Sequence, residues 1–330
     1  MHYERRDRLR QALKVLNKIG QGVRSPIRRP SIVVEIDLEP DEYYPTVWGR
    51  AAWEGVERAF QAADSVRNAL AAVGHRARFS WGLRLDPQVA IGEGRPDFVL
   101  SEFEDEIAAA RRSGDSFGIH PHWFRLIDGD WVEDTIDAAW VQHCIGVSLD
   151  TFRAGFGTKP TWIHFGQSWM NQACFNRATD EGIRLVLTPE PGMKIEPIHL
   201  PGPPFRGTYP EYPSHLRRPY WGSRRDFRRR GIQRRTIVVP RTAAPLPNAR
   251  RGESTHTNCW VSDDKTKFQT WIEQARAGGR GGYFVLAGRS HVFRDPAKIA
   301  NLVANLTWLV VDADGPQGDL TTPEEAFLDA

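Results

Sequence analysis

An α/β fold organised around a parallel sheet is what the sequence predicts, on two observations. From Ile32 onward, short apolar runs of strand type alternate with longer segments of helical period. The first of those runs, Ser31-Ile-Val-Val-Glu-Ile-Asp-Leu-Glu-Pro40, is apolar enough for the centre of a sheet yet carries acids at alternate positions. Alternation of this kind puts functional loops at the C-terminal ends of the strands, whether the sheet stays open or closes into a barrel. With 330 residues, a formal net charge of +3 and 40% hydrophobic residues, the chain can bury one large core or two smaller ones.

The elements follow in order. Residues 5–19 place Leu9, Leu13, Leu16 and Ile19 at helical spacing under a basic outer face, predicting an amphipathic arm outside the main domain. Such a face is ordinarily solvated against its own domain; contact with an anionic membrane surface or a partner is the other reading. Pro26 to Pro30 read as a linker, so that residues 1–30 form the arm, 31–312 the main domain and 313–330 a tail. Within the main domain the pattern predicts strands at 32–38, 77–83, 116–122, 150–154, 183–188, 235–240 and 282–287. Helices are predicted at 50–73, with Trp53, Val56 and Phe60 inward, and at 101–112, 134–149, 171–181, 264–277 and 296–311. Residues 193–235, rich in proline, tyrosine and arginine, read as one long loop. No run of eighteen apolar residues and no N-terminal apolar stretch of secretory type occurs, so a cytoplasmic protein is expected. Cys144, Cys174 and Cys259 are far apart, without Cys-x-x-Cys spacing, and read as buried reduced thiols.

The chemistry gathers at strand ends. A strand has a side-chain period of two, so Glu35, Asp37 and Glu39 share one face, and several carboxylates buried together need a cation or hydrogen-bond donors. A strand end emerging into water is the plainer reading of Glu39, Asp41 and Glu42. In Gly118-Ile-His-Pro-His-Trp123, His120 and His122 stand two apart at a strand end, where both rings can point the same way. Two imidazoles and a carboxylate make a common facial set for a catalytic divalent ion; packed, hydrogen-bonded histidines are the structural alternative. There is no Gly-x-Ser-x-Gly elbow, no phosphate-binding Gly-x4-Gly-Lys-Ser/Thr loop and no His-Glu-x-x-His.

The order Asp37-Leu-Glu39, Gly118-Ile-His-Pro-His122, Thr151-Phe-Arg-Ala-Gly155 and Pro189-Glu-Pro-Gly192 resembles the polysaccharide deacetylases, carbohydrate esterase family four and its relatives. Further similarity lies in Arg78-Phe-Ser-Trp-Gly-Leu-Arg-Leu-Asp-Pro87 and in Arg218-Pro-Tyr-Trp-Gly-Ser-Arg-Arg-Asp-Phe227 followed by Ile237-Val-Val-Pro240, and the likeness spans roughly residues 31–312. The resemblance implies a distorted (β/α)7 barrel and metal-dependent removal of an acetyl group, usually N-acetyl, from a sugar. By that analogy Asp37 is the general base, Glu39, His120 and His122 hold the metal, most simply zinc, and Arg153 orients Asp37. His291, after Tyr283-Phe-Val-Leu-Ala-Gly-Arg-Ser290, is the candidate general acid, and Asp86 falls among the substrate-binding residues. The chain departs from the commoner pattern in having glutamate at 39, histidines two apart rather than four, and Phe124 where a second histidine would stand.

In the long loop, Tyr209, Tyr212, Tyr220 and Trp221 could stack on sugar rings or pack on the barrel, and Arg224 and Arg225 could bind a phosphate-linked sugar. The expectation is that residues 209–230 cover the barrel mouth. Two other functions compete: hydrolysis of a different C–N bond, formyl or cyclic amide, and a catalytically inactive barrel serving as a nucleic-acid-binding or scaffold protein. The small net charge and lack of a nucleic-acid motif weigh against the latter.

Overall fold

The acid-bearing run folds as strand β1 (Ser31–Leu38), with every residue from Ile32 onward buried. Ile32, Val34, Ile36 and Leu38 pack into the core shared with the helices, while Val33 and the acids face the inside of the sheet. The computed structural model describes residues 29–42, 52–192, 205–246, 256–277, 282–312 and 314–329; the basic segment 5–19 and residues 193–204 lie outside them. In a 9-stranded sheet, six further strands form one path with β1: β2 (Ser80–Leu83), β3 (Ser116–Ile119), β4 (Trp162–Ile163), β5 (Leu185–Val186), β6 (Ile237–Val238) and β7 (Tyr283–Arg289). They pair in parallel in the order β7-β1-β2-β3-β4-β5-β6.

The sheet curls. In a flat sheet β1 and β6, five steps apart, would be separated by about 24 Å. Yet Arg241, just beyond β6, reaches Glu35 on β1, and Thr242 donates its N–H to the Val285 carbonyl on β7 at 2.8 Å. Inside the curl, Val33, Trp162, Leu185, Leu187, Ile237, Val239 and Val285 form an apolar floor with Trp221, Tyr283 and Phe327. Each large side chain buried in that floor contributes about 1.5–3 kcal/mol. The polar residues of β1 lie above it, toward the C-terminal ends of the strands.

The helices are α1 (Glu54–Ala71), α2 (Pro87–Glu93), α3 (Phe98–Glu102), α4 (Glu104–Arg112), α5 (Ala138–Phe156), α6 (Gln172–Asp180), α7 (Lys265–Ala277), α8 (Pro296–Val310) and α9 (Pro323–Phe327). α1 buries Val56, Ala59, Phe60, Ala63, Val66 and Leu70 at three- and four-residue spacing. The strand expected at 150–154 is not one. α5 starts at Asp137, whose side chain accepts from the N–H groups of Ala139 and Trp140, and keeps its buried stripe past Leu149 to Phe152. It ends only at Gly157, whose φ of 70° suits a residue without Cβ. The strand that follows, β4, begins after Pro160. The described residues 314–329 of the expected tail carry a strand and a helix. Asp319–Leu320 pairs with β1, and a capping box of Thr322 and Glu325 starts α9, whose Phe327 helps close the floor.

The expected (β/α)7 barrel thus holds in its coarser form, an α/β sheet curled around a packed interior. Strict alternation breaks after β5, where an irregular excursion carrying Phe205–Arg206 and Tyr220–Trp221 leads to β6. Among the described residues no helix is long and apolar enough to cross a membrane.

Candidate metal centre

Above the floor, the inward positions of adjacent strands meet in two buried layers. β3 delivers His120 and, after Pro121, His122; β1 delivers Glu35, Asp37 and then Glu39. Two glycines leave the room this needs. A Cβ at Gly82 would lie 2.9 Å from Asp37 Oδ1 and 3.3 Å from the His120 Cβ, and one at Gly166 would lie 2.3 Å from the His122 ring. Ser290 fixes the backbone of Glu39, its Oγ accepting from the Glu39 N–H at 2.9 Å and donating to the Glu39 carbonyl at 3.0 Å.

In the upper layer, His120 Nε2 lies 3.3 Å from Glu39 Oε1 and 3.0 Å from His122 Nε2. His120 Nδ1 donates to the His164 carbonyl at 3.0 Å, which leaves Nε2 as the lone-pair nitrogen. Burial, helped by the charge of Arg84 and by His120, pushes the His122 pKa well below its usual range, so that ring is neutral. Burial alone would raise Glu39, but its contact with His120 and the charge of Arg289 hold its carboxyl well below the usual range. The donor set is therefore two imidazoles and a carboxylate, and its ligand atoms all lie within 4.8 Å of one another. Ligands bound at ~2.0–2.2 Å to one ion stand about 3.0–3.5 Å apart along the edges of its coordination shell. The observed 3.0 and 3.3 Å fit that spacing.

The lower layer also groups ligand-type atoms, from Glu35, Asp37, His120 and His164, but it already contains a cation. Arg241 bonds to Glu35, stands 3.7 Å from Asp37 Oδ2, and reaches Glu190 at 3.4 Å. His164 Nδ1 lies 2.9 Å from Glu35 and 3.1 Å from Asp37. Burial would raise the Glu35 pKa, but Arg241 and His164 overcome it and keep the carboxyl well below its usual range. Glu190 is held in turn by Ser168 Oγ and Asn258 Nδ2, each at 2.5 Å. The upper layer, where Arg289 Nε is 3.9 Å from Glu39, is the one that suits a metal ion.

Several expected residues stand elsewhere. Arg153 lies on the outer face of α5, half-exposed, bonding Asp150 at 3.0 Å and facing Glu181 at 3.7 Å, because its segment continues a helix and is not a strand end. The guanidinium beside Asp37 belongs to Arg241. Asp86 is fully buried and serves as the N-cap of α2, accepting from Arg84 Nε at 2.7 Å and from the His122 N–H at 3.1 Å. It positions the His122 loop, both of its oxygens being engaged by Arg84 and by backbone N–H groups. Tyr220 is buried with its hydroxyl on the Phe227 carbonyl, and Trp221, half-buried, packs against the floor. Arg224 pairs with Asp180 at the C-terminal end of α6, the end of the sheet away from Glu39. Arg225 is exposed beside a surface cavity bounded by Trp169, Thr208 and Phe227. Tyr220, Trp221 and Arg224 are thus engaged within the protein or with Asp180. His291 does stay near the upper layer, in the turn Ser290–Arg294 after β7, where burial and Arg289 lower its pKa against the pull of Glu39.

His164, Arg241 and Glu190 are the residues that sequence reasoning missed. His164 follows a two-residue strand, too short to show a period, although Trp-Ile-His after Pro160 carries the same strand-end signature as Gly-Ile-His120. Arg241 lies two residues beyond Val239 on the inward face, a signal visible once the strand is placed.

No protein-family model matches the sequence, and no curated protein matches it. Solved structures do. A protein from Mycobacterium smegmatis described as a polysaccharide deacetylase aligns over 90% of this chain and 90% of its own, with 11% identity and a TM-score of 0.52. The chain has the polysaccharide deacetylase fold. A probable polysaccharide deacetylase from Pseudomonas aeruginosa PAO1 covers 91% of this chain and 90% of its own at 12% identity and TM-score 0.51. The Puue allantoinase covers 92% and 90% at 13% identity and TM-score 0.53. At such identities the likeness is one of fold; function must be argued from the residues.

Proposed function

We propose that this chain is a metal-dependent hydrolase that removes an acetyl group, in the first place an N-acetyl group, from a sugar or sugar conjugate, with zinc as the metal. The observation that carries the proposal is the convergence of Glu39, His120 and His122 at the C-terminal end of a curled parallel sheet, with Asp37 directly beneath. A divalent ion bound there supplies a Lewis acid for the acetyl carbonyl and acidifies a water. Asp37 is the proton acceptor. Its Oδ1 bonds to His164 Nδ1 at 3.1 Å and stands 3.3 Å from the His120 ring, while Oδ2 is buried without a hydrogen-bond partner and is the atom left to receive a proton. Arg241 and His164 hold Asp37 in place from below. His291, at the turn after β7, would pass the proton that Asp37 takes from the water on to the departing amine, so that protons balance over the hydrolysis. Arg289, 5.1 Å over the Trp260 ring, forms part of the rim a sugar would meet. Cys144 and Cys174, buried and outside any disulfide, support a reducing compartment, the cytoplasm.

Hydrolysis of a different C–N bond is the second reading. The likeness to an allantoinase supports it, as does the inward packing of Tyr220, which removes an expected sugar-stacking ring. Zinc-loaded protein should release acetate from a panel of N-acetylated sugars, free and conjugated, and a chelator should abolish the release. Ring opening of allantoin without acetate release would establish the second reading, and neither activity in metal-loaded protein would contradict both.

A further inference from the structure

The starts of β5 and β6 lie side by side, because Ile237 donates its N–H to the Arg184 carbonyl at 2.8 Å and Thr236 Oγ1 donates to the Ile183 carbonyl at 2.8 Å. The Gly222 N–H bonds to the Thr236 carbonyl, and Gly222 bridges to Arg230, which brings the chain from 222 to 235 onto the same edge. This edge is at the end of the sheet opposite Glu39, His120 and His122. It carries Arg184, Arg230, Arg234 and Arg235, all exposed and none in an ion pair among the described residues. The neighbouring carboxylates are already engaged: Asp180 by Arg224, Asp226 by Arg228 and Arg229, and Glu181 by Arg177. Between these arginines in the chain stands Ile232, 99% exposed.

We propose that this edge docks the protein on an anionic lipid surface, with the guanidinium groups at the lipid phosphates and Ile232 inserted at the boundary of headgroups and acyl chains. Surplus positive charge without partners attracts either a membrane or a nucleic acid, and two observations favour the membrane. A single large apolar side chain amid arginines suits the apolar-beneath-anionic layering of a bilayer. Of the two rings nearest the edge, Tyr220 is buried and Trp221 packs half-buried against the floor, which is a poor stacking platform for a single strand. The proposal does not depend on the hydrolase reading.

Sedimentation of the full chain with vesicles of phosphatidylcholine, with and without phosphatidylglycerol, tests it. Binding is expected only to vesicles containing phosphatidylglycerol and should weaken at raised salt. An exposed arginine at such a surface is worth roughly fivefold in partitioning, so the double variant Arg234→Glu, Arg235→Glu should lose at least about 20-fold. Ile232→Asp should weaken binding as well, and circular dichroism and thermal unfolding of these surface variants should match the unaltered protein. Absence of binding to phosphatidylglycerol, binding unchanged in the variants, or displacement from the vesicles by a single-stranded RNA oligonucleotide that binds more tightly would each overturn the proposal.

Discussion

The two oxygens of Asp37 have different surroundings: Oδ1 faces two imidazoles and Oδ2 has no hydrogen-bond partner in a buried site. Asp37→Asn should therefore leave metal content largely intact while activity falls by ~10²–10⁴-fold, the range for a positioned acid or base. His120→Ala should lose metal and activity together, as elemental analysis beside an acetate-release assay would show. Arg241 is the cation that three buried carboxylates share, those of Glu35, Asp37 and Glu190. Removing one partner of a buried pair leaves uncompensated charge, so Arg241→Met should cost about 3–5 kcal/mol in urea unfolding. Arg153→Ala, at a half-exposed surface pair, should cost under ~1 kcal/mol. Equal costs would return Arg153 to the role the sequence suggested. Asp37, Glu39, His120 and His122 were legible because alternation along a strand needs no tertiary knowledge. Arg241 was not, since only the curl of the sheet brings it across to β1.

At the scale of the element, the hairpin Phe124–Ile127 with Asp130–Asp134 follows directly from the histidine motif. Phe124, the residue standing where a second histidine might be expected, stacks on His122 with ring centroids 5.3 Å apart. Opposite Phe124 in the hairpin is Glu133, buried, whose Oε1 has no hydrogen-bond partner; burial pushes its pKa from 4.5 up to about 8 against the nearby charge of Arg84. Below pH 4.5 this carboxyl is protonated in both folded and unfolded chains. As pH rises toward 8 the unfolded chain gives up the proton while the fold keeps it, so stability is lost across that window. Glu133→Gln removes the effect. Relative to the unaltered protein it should gain a few kcal/mol between about pH 5 and pH 9, at ~1.4 kcal/mol per pKa unit, read from urea unfolding at each pH. A difference independent of pH would mean that Glu133 is ionised in the fold. The missed β4 and the overlong α5 have one cause. The apolar stripe of α5 runs unbroken through Thr151-Phe-Arg-Ala-Gly155, and the stop at Gly157 is a backbone signal that strand-type composition at Thr151-Phe152 obscured.

The whole molecule separates three levels along one axis: an apolar floor, a charge-neutralised layer around Arg241, and an upper set of ligand-type atoms open toward Arg289 and His291. The strand rhythm made the α/β architecture legible, whereas the closure of the curl and the path of residues 205–235 depend on long-range contacts that no local pattern encodes. Because the site preexists in the fold, metal should stabilise the native state, by about 2.7 kcal/mol at a hundredfold excess over Kd, and His120→Ala should abolish that gain in thermal unfolding. The most direct test is an anomalous difference map recorded at the zinc edge on crystals of metal-loaded protein. A single peak bonded to Glu39, His120 Nε2 and His122 Nε2 at ~2.0–2.2 Å is expected. A peak among Glu35, Asp37 and His164, or no ordered metal at either layer, would contradict the assignment.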